Sequence, residues 1–496
     1  MHHNEREHHK INEQLLAKMK SVFFAFRNLI LCSIIICFCS NVSLAQIVWH
    51  LNDSLHPTVY VANITITGNK KTKEAIIVRE LIFHKNDTLN TDVLFAAAQR
   101  SMENVMNTSL FNFVEIHVTP QDITGADITI IVKEKWYVWP FPIFEGVDRN
   151  INEWWQTKDF SRVNYGMYLL HENFRGRKEN LQINARFGYS LKLGLTYNVP
   201  YIDKAKTQGL AFSAGTQRYR ETAYALAGNQ LKFYTNSQSV VRRETYAWLR
   251  YTKRKGIYRT QNVFAEYRDV KLDDSLSTLN PNYLKSSDNR IKMILAGVSY
   301  RYEQVDFNVY PLKGFAVSGE VTQNGLGLLH NEPAILSATL GARRFIKLST
   351  RWYHAISIRA KVFSSPTVPF YLQRGLGYGN DFVRGYELYV VNGQYHFVAK
   401  NNFKFALLPL RKIKLNFIRT EKFNTIPIAI YINMFADAGY ARSTYNNENN
   451  TLNNNILSGY GVGIDVVSYY NLVWRFEYAF TNIGKHGFFV HFSSPI

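Results

Sequence analysis

Arg384 and Asp437 are the residues in this sequence whose types and settings could do specific chemistry. Arg384 lies in 380–386, Asn-Asp-Phe-Val-Arg-Gly-Tyr, between long runs of alternating polar and apolar residues, and Gly385 after it permits a tight turn. A charge in a confined interior is costly unless paired, so Arg384 needs an anion. Asp437, in Phe435-Ala436-Asp437-Ala438-Gly439, is the candidate. Such a pair holds structure together; it turns nothing over. The histidines, His171, His330, His354, His396, His486 and His491 among them, show no metal-ligand spacing, and no serine sits in a Gly-x-Ser-x-Gly turn. Cys32, Cys37 and Cys39 all fall in one N-terminal apolar segment. A chain processed after that segment has no thiol, which excludes cysteine nucleophiles, thiolate metal sites and disulfides together. The reading is therefore non-enzymatic, with no catalytic residue, no metal and no cofactor.

The elements that must position Arg384 and Asp437 have a period of two. Leu181, Ile183, Ala185 and Phe187 alternate with Gln182, Asn184 and Arg186, and Ile356, Ile358, Ala360 and Val362 alternate with Ser357, Arg359 and Lys361. Leu472, Trp474, Phe476, Tyr478 and Phe480 alternate with Val473, Arg475, Glu477 and Ala479. One face suits lipid and the other a wet interior, which predicts a transmembrane antiparallel β-barrel over 160–496. With strands of roughly 9–11 residues that stretch accommodates about 16. A soluble β-sandwich alternates likewise but needs neither so many strands nor so polar an inner face. Aromatic content of 15% at a mean hydropathy of -0.21 also fits a barrel better than a helical membrane protein. Segments 273–289 and 442–455, polar and rich in Asn or Ser, are expected to be long outer loops.

Ahead of the barrel, 1–45 reads as a signal peptide: Lys18, Lys20 and Arg27 precede the apolar run 29–39, and Ser43-Leu44-Ala45 follows. Met19 is an alternative start. Five basic and three acidic residues lie in 1–45, so a formal charge of +20 becomes 20 - 2 = +18 after processing. A strongly basic exported chain points to anionic headgroups or acidic polymers, not to nucleic acid. Residues 57–135 predict a small α+β unit in the order β-α-α-β-β: a strand at 59–66, helices at 72–81 and 91–106 with Thr91 as cap, and strands at 111–118 and 126–134. Residues 136–159, with Trp136, Tyr137, Trp139, Pro140, Phe141, Pro142, Phe144, Trp154 and Trp155, read as an aromatic hinge.

The unit at 57–135 resembles a POTRA domain, the periplasmic module of the BamA/TamA superfamily of outer-membrane assembly and translocation proteins. The resemblance rests on Asn63-Ile64-Thr65-Ile66-Thr67-Gly68-Asn69, Leu110-Phe111-Asn112-Phe113-Val114 and Asp127-Ile128-Thr129-Ile130-Ile131-Val132-Lys133-Glu134. Val383-Arg384-Gly385-Tyr386 is similar to the superfamily's Val-Arg-Gly-Phe/Tyr inner-loop motif, Phe435-Ala436-Asp437-Ala438-Gly439 to its Phe-x-Asp-x-Gly strand, and Pro311-Leu312-Lys313-Gly314 to the start of a mid-barrel strand.

The resemblance implies an outer-membrane location with the N-terminal domain in the periplasm. It also implies a latch of Val383, Arg384, Gly385 and Tyr386 against Asp437 and Gly439, and a lateral seam between the first and last strands. Tyr165, Met167 and Leu169 are expected on the first strand, and Phe488, Val490 and Phe492 on the last. The partners implied are unfolded outer-membrane or secreted client proteins and outer-membrane lipid, with accessory lipoproteins left open. BamA-type insertion is the function implied; the alternatives are a dedicated secretion or translocation pore of the superfamily and, further off, a porin or an outer-membrane enzyme. Two departures stand out. Lys404 occupies the region where the superfamily often has an inward glutamate, and the chain ends in Ser493-Ser494-Pro495-Ile496 rather than in an aromatic.

Overall fold

A computed structural model describes residues 58–121, 124–146, 163–236, 238–286, 288–420, 423–443, 449–468 and 472–492. The expected signal peptide, Trp154 and Trp155 of the hinge and the last four residues lie outside them. Apolar residues at helical and alternating spacings build the N-terminal domain from β1 (Thr58–Thr67), α1 (Glu74–Val78), β2 (Thr88–Asn90), α2 (Thr91–Met106), β3 (Phe111–Pro120) and β4 (Gly125–Glu134). The sheet order is β2-β1-β4-β3, with β1 and β4 parallel. Leu94, Ala98 and Val105 of α2 pack with Val61, Phe111, Ile128 and Ile130 in one core. Each fully buried large side chain there contributes about 1.5–3 kcal/mol. The cap of α2 is Asn90, whose side chain accepts from the Asp92 amide at 3.3 Å, rather than Thr91. The first helix is shorter than expected, and β2 is a strand that alternation over three residues could not announce.

The remaining strands form one sixteen-stranded antiparallel sheet ordered β22-β21-β20-β19-β18-β17-β16-β15-β14-β13-β12-β9-β8-β7-β6-β5. Its members are β5 (Val138–Gly146), β6 (Val163–Phe174), β7 (Glu179–Gly188), β8 (Leu191–Val199), β9 (Gln208–Tyr219), β12 (Arg242–Lys255), β13 (Arg259–Leu272) and β14 (Arg290–Val305). Then follow β15 (Gly314–Asn324), β16 (Ile335–Lys347), β17 (Trp352–Phe363), β18 (Tyr395–Lys414), β19 (Thr425–Arg442), β20 (Ile456–Val467), β21 (Val473–Thr481) and β22 (His486–His491). A separate hairpin, β10 (Glu221–Ala227) and β11 (Gln230–Thr235), turns through Gly228 and Asn229, both at positive φ.

Alternation is visible in burial: along β21, Val473, Arg475, Glu477, Ala479 and Thr481 are buried and Trp474, Phe476, Tyr478 and Phe480 exposed. The sheet curls into a barrel, because Tyr310 in the β14–β15 turn donates to Asp465 on β20, five strands beyond β15 in the sheet order, at 2.6 Å. Gly314, at φ +118, opens β15 after that turn, where a Cβ would lie 2.1 Å from the Gln304 carbonyl oxygen.

The sheet begins earlier than the sequence suggested. Its first strand is β5, inside the stretch expected to be a hinge, and the strand carrying Tyr165, Met167 and Leu169 is second. Pro140 and Pro142 misdirected the expectation: they exclude a central strand, whereas β5 is an edge strand, where missing donors are tolerated. Loop 273–289 carries a short helix, α3 (Asp274–Leu279), and packs Leu276, Tyr283 and Leu284 with Val270, Leu272 and Met293 at the end of the barrel far from the N-terminal domain.

The N-terminal domain sits against the other end. Glu80 receives Arg254 of β12 at 2.6 and 2.8 Å, Arg79 donates to the Lys206 and Gly256 carbonyls, and Asn107 donates to the Val305 carbonyl. On the opposite side of the domain, Lys412 of β18 reaches Glu115 at 2.9 Å. Between domain and barrel a cavity of ≈ 500 Å³ is lined by Glu80, Asn104, Arg250, Arg254, Arg301 and Glu303 among others.

Candidate functional site

The segment joining β17 to β18, residues 364–394, folds back onto the inner faces of β18 to β21, and Arg384 lies at its turn. Gly385 is at φ +92, the left-handed region, and a Cβ there would lie 2.7 Å from Thr481 Cγ2. The seat beneath the loop is built from missing side chains. A Cβ on Gly439 would come 2.5 Å from Val383 Cγ2, and one on Gly459 would come 1.8 Å from the Arg384 carbonyl oxygen. Val383 and Tyr386 are buried in that seat with Leu376, Val391, Val398 and Leu457. The Tyr386 hydroxyl donates to Asn482, just after β21.

Arg384 is fully buried and fully engaged. Its Nη2 and Nε meet Asp437 Oδ1 and Oδ2 at 2.6 and 2.7 Å, the bidentate geometry that guanidinium and carboxylate share. Nη1 donates to Asn402 Oδ1 at 2.7 Å and to Glu477 Oε1 at 3.1 Å, and the guanidinium lies 4.0 Å from the Phe435 ring centre. Register explains the convergence: Asn402 opposes Phe435, while Asp437 opposes Gly459, which in turn opposes Thr481. A second buried pair lies beside the first. Arg475 donates to both oxygens of Asp465 at 2.6 and 2.7 Å, and Asp465 also receives Tyr310 and Asn433. Lys404 Nζ sits 4.1 Å from the Tyr310 ring centre, so this cation faces an aromatic on the turn that begins at the N-terminal domain's end of the barrel.

With Lys404 where the superfamily often has a glutamate, the second acidic partner of Arg384 comes from another strand, as Glu477 of β21. Sequence alternation had already put Glu477 on the inner face; what it lacked was the register that carries β21 next to the loop. Asp465, Arg475 and Asn402 were missed for the same reason. The loop also touches the last strand. Phe382 stacks on His491, ring centres 5.4 Å apart, and Glu387 Oε1 lies 3.5 Å from His491 Nε2. Phe488 and Val490 of β22 and Phe492 just after it are exposed, and so are Tyr165 and Met167 of β6, whereas Leu169 is half-buried. His396 lies 3.8 Å from Asp381, and His354 stacks on Phe403. Among the described residues no cluster of His, Cys, Asp or Glu is arranged to hold a metal ion.

Residues 59–135 match the POTRA family, described as a surface antigen variable number repeat. The chain thus carries a POTRA domain ahead of a sixteen-stranded antiparallel β-barrel. No curated protein sequence matches it. Among solved structures it is similar to BamA from Haemophilus ducreyi lacking POTRA domains 1-3, at 16% identity over 87% of this chain and 83% of that one, with a TM-score of 0.49. It is also similar to CdiB from Escherichia coli, at 11% identity over 87% and 75% with a TM-score of 0.49. For CdiB from Acinetobacter baumannii the values are 15%, 88% and 74%, with a TM-score of 0.44.

Proposed function

We propose that the protein is embedded in an outer membrane, with its POTRA domain on the periplasmic side, and inserts client β-strands into that membrane at its own seam. The observation that carries this is the end of the sheet: among the described residues no backbone ladder joins β5 to β22. β22 has 6 residues against 9 in β5, so the two edges are also unequal in length. Unpaired backbone groups facing lipid are costly, and a client strand that pairs with either edge offsets that cost. The Arg384 loop acts as a latch, because it is pinned to β19 and β21 on one side and rests on His491 of β22 on the other. Clients are unfolded outer-membrane or secreted chains, received in extended form along an edge of the POTRA sheet.

A dedicated translocation pore is the alternative, and depletion separates the two. Depleting the protein in its host should lower many outer-membrane barrel proteins together in quantitative proteomics. A variant with a disulfide engineered between β5 and β22 should fail to restore them until reduced. Loss of one secreted or surface protein alone would assign a dedicated transporter. Full rescue by the oxidised variant would eliminate the seam as the working site.

A further inference from the structure

We infer that the outer face of β9, β12, β13 and β14, at the end of the barrel far from the POTRA domain, binds the phosphorylated headgroup of a lipid. It rests on the reading that this outer face meets a membrane. The register sets Arg218 opposite Arg243, Arg243 opposite Lys271, and Lys271 opposite Arg290, a row of cations across four adjacent strands. All four are exposed, whereas Val270, Leu272, Ile291 and Met293, which alternate with them, are buried, so the row points outward. Like charges directly opposite one another destabilise a sheet, and a row of them calls for an anionic counterpart. The protein supplies it at one end of the row only. Asp269, one rung below, is held by two nitrogens of Arg290 at 2.8 and 2.5 Å, whereas Arg218, Arg243 and Lys271 form no ion pair among the described residues.

Two further features select a lipid as the source of the phosphate. The row stands one rung beyond the margin of the apolar band: the next outward rung is Thr216, Thr245, Asp269 and Lys292, and the polar rung at the other margin, Gln208, Lys253 and Gln261, follows at 216 - 208 = 8 residues along β9. At about 3.3 Å per residue and a tilt of about 40° that span is about 20 Å, most of the height of a barrel's lipid-facing band. Below the row, the outer surface also dips into a groove of ≈ 510 Å³ lined by Leu193, Leu195, Ala214, Ala247 and Tyr267. Ala214 opposes Ala247, and these two small side chains leave the depression between larger neighbours. Guanidinium groups above an apolar groove match an amphiphile, phosphate above and acyl chain below, and planar guanidinium bonds phosphate bidentately.

The test uses the purified full chain in detergent and native mass spectrometry. The probes are a diphosphorylated acyl-glycolipid, its dephosphorylated form, and the phosphorylated lipid with excess inorganic phosphate as competitor. Retention of the phosphorylated lipid should exceed that of the dephosphorylated one roughly tenfold or more. The charge reversal R243E/K271E and the milder R243Q/K271Q should both abolish the preference; the second relieves repulsion and should fold at least as well. Ala214→Trp, which fills the groove, should weaken retention, and K253E/K255E at the opposite margin should leave it unchanged. Equal retention of both lipids, a preference that survives R243Q/K271Q, or complete displacement by inorganic phosphate would overturn the inference. Client assembly does not enter this readout, so a failed depletion experiment leaves the lipid site standing. A chain that stays soluble and monodisperse without detergent would sink the membrane reading and the lipid site together.

Discussion

Removing the Arg384 side chain would take from Asp437, buried to 0% exposure, its bidentate partner and leave Glu477, at 1%, only the more distant Arg475 at 3.7 Å. The cost of breaking such a pair is mostly the uncompensated charge that remains, about 3–5 kcal/mol. Arg384→Ala is therefore expected to lower the barrel's unfolding midpoint in urea and to release segment 364–394 to protease. Arg384→Lys should recover little, since one ammonium cannot span Asp437, Asn402 and Glu477 at once. A loop that stays protected in Arg384→Ala would show that Val383 and Tyr386 hold it by packing alone. Gly439 and Gly459 matter at the same scale: each leaves space that Val383 or the Arg384 backbone occupies.

Among the elements, β5 is decisive because it combines an edge position with Pro140 and Pro142. Two prolines two residues apart remove donors from the same side of a strand, and a sheet tolerates that on its unpaired side. At the other end of the sheet order is β22, whose short length limits any ladder it could form. The double variant P140V/P142V restores both donors and should favour closure of β5 on β22. Thermal stability should rise and client insertion into liposomes should fall. Unchanged values of both would remove the prolines from the seam's behaviour. The neighbours of the loop are built differently: β18 and β19 run 20 and 18 residues and pair along nearly their whole length, which gives Arg384 a rigid wall.

In the whole molecule the POTRA domain rests on the barrel rim through a buried ion pair. Burial pushes the Glu80 carboxyl up, but the Arg254 guanidinium outweighs it and holds the pKa below the ordinary 4.5. A depressed carboxylate stabilises docking above its unfolded value, and that stabilisation is lost as pH falls through the folded value. Acidification below the ordinary carboxylate range is thus expected to loosen the domain, read as faster amide exchange in α1 and at the β12–β13 turn. Glu80→Gln should remove this acid response and leave docking weaker at neutral pH. An identical acid response in Glu80→Gln would place the sensitivity elsewhere. Lys412–Glu115 on the other side of the domain is half exposed and contributes less, as exposed pairs do.

The sequence by itself determined what depends on local order. Two-residue alternation announced the barrel and its inner face, helical and alternating spacings announced a small α+β unit at 57–135, and Asp437 was legible as the partner of Arg384 because the alternation of Ile426, Ile428, Ile430, Ile432 and Met434 turns it inward. The tertiary structure alone decided what depends on register and closure. Glu477, Asn402, Asp465 and Arg475 are ordinary members of alternating strands until strand pairing brings them around one loop. The first strand was hidden because proline statistics describe strands paired on both sides, and whether a strand has a second neighbour is a property of the closed sheet. The row Arg218, Arg243, Lys271 and Arg290 is spread over some seventy positions of sequence and exists only because four strands stand in register. Side-chain direction is written residue by residue, whereas the identity of a neighbour across a ladder is fixed only when turns and bulges set every offset together.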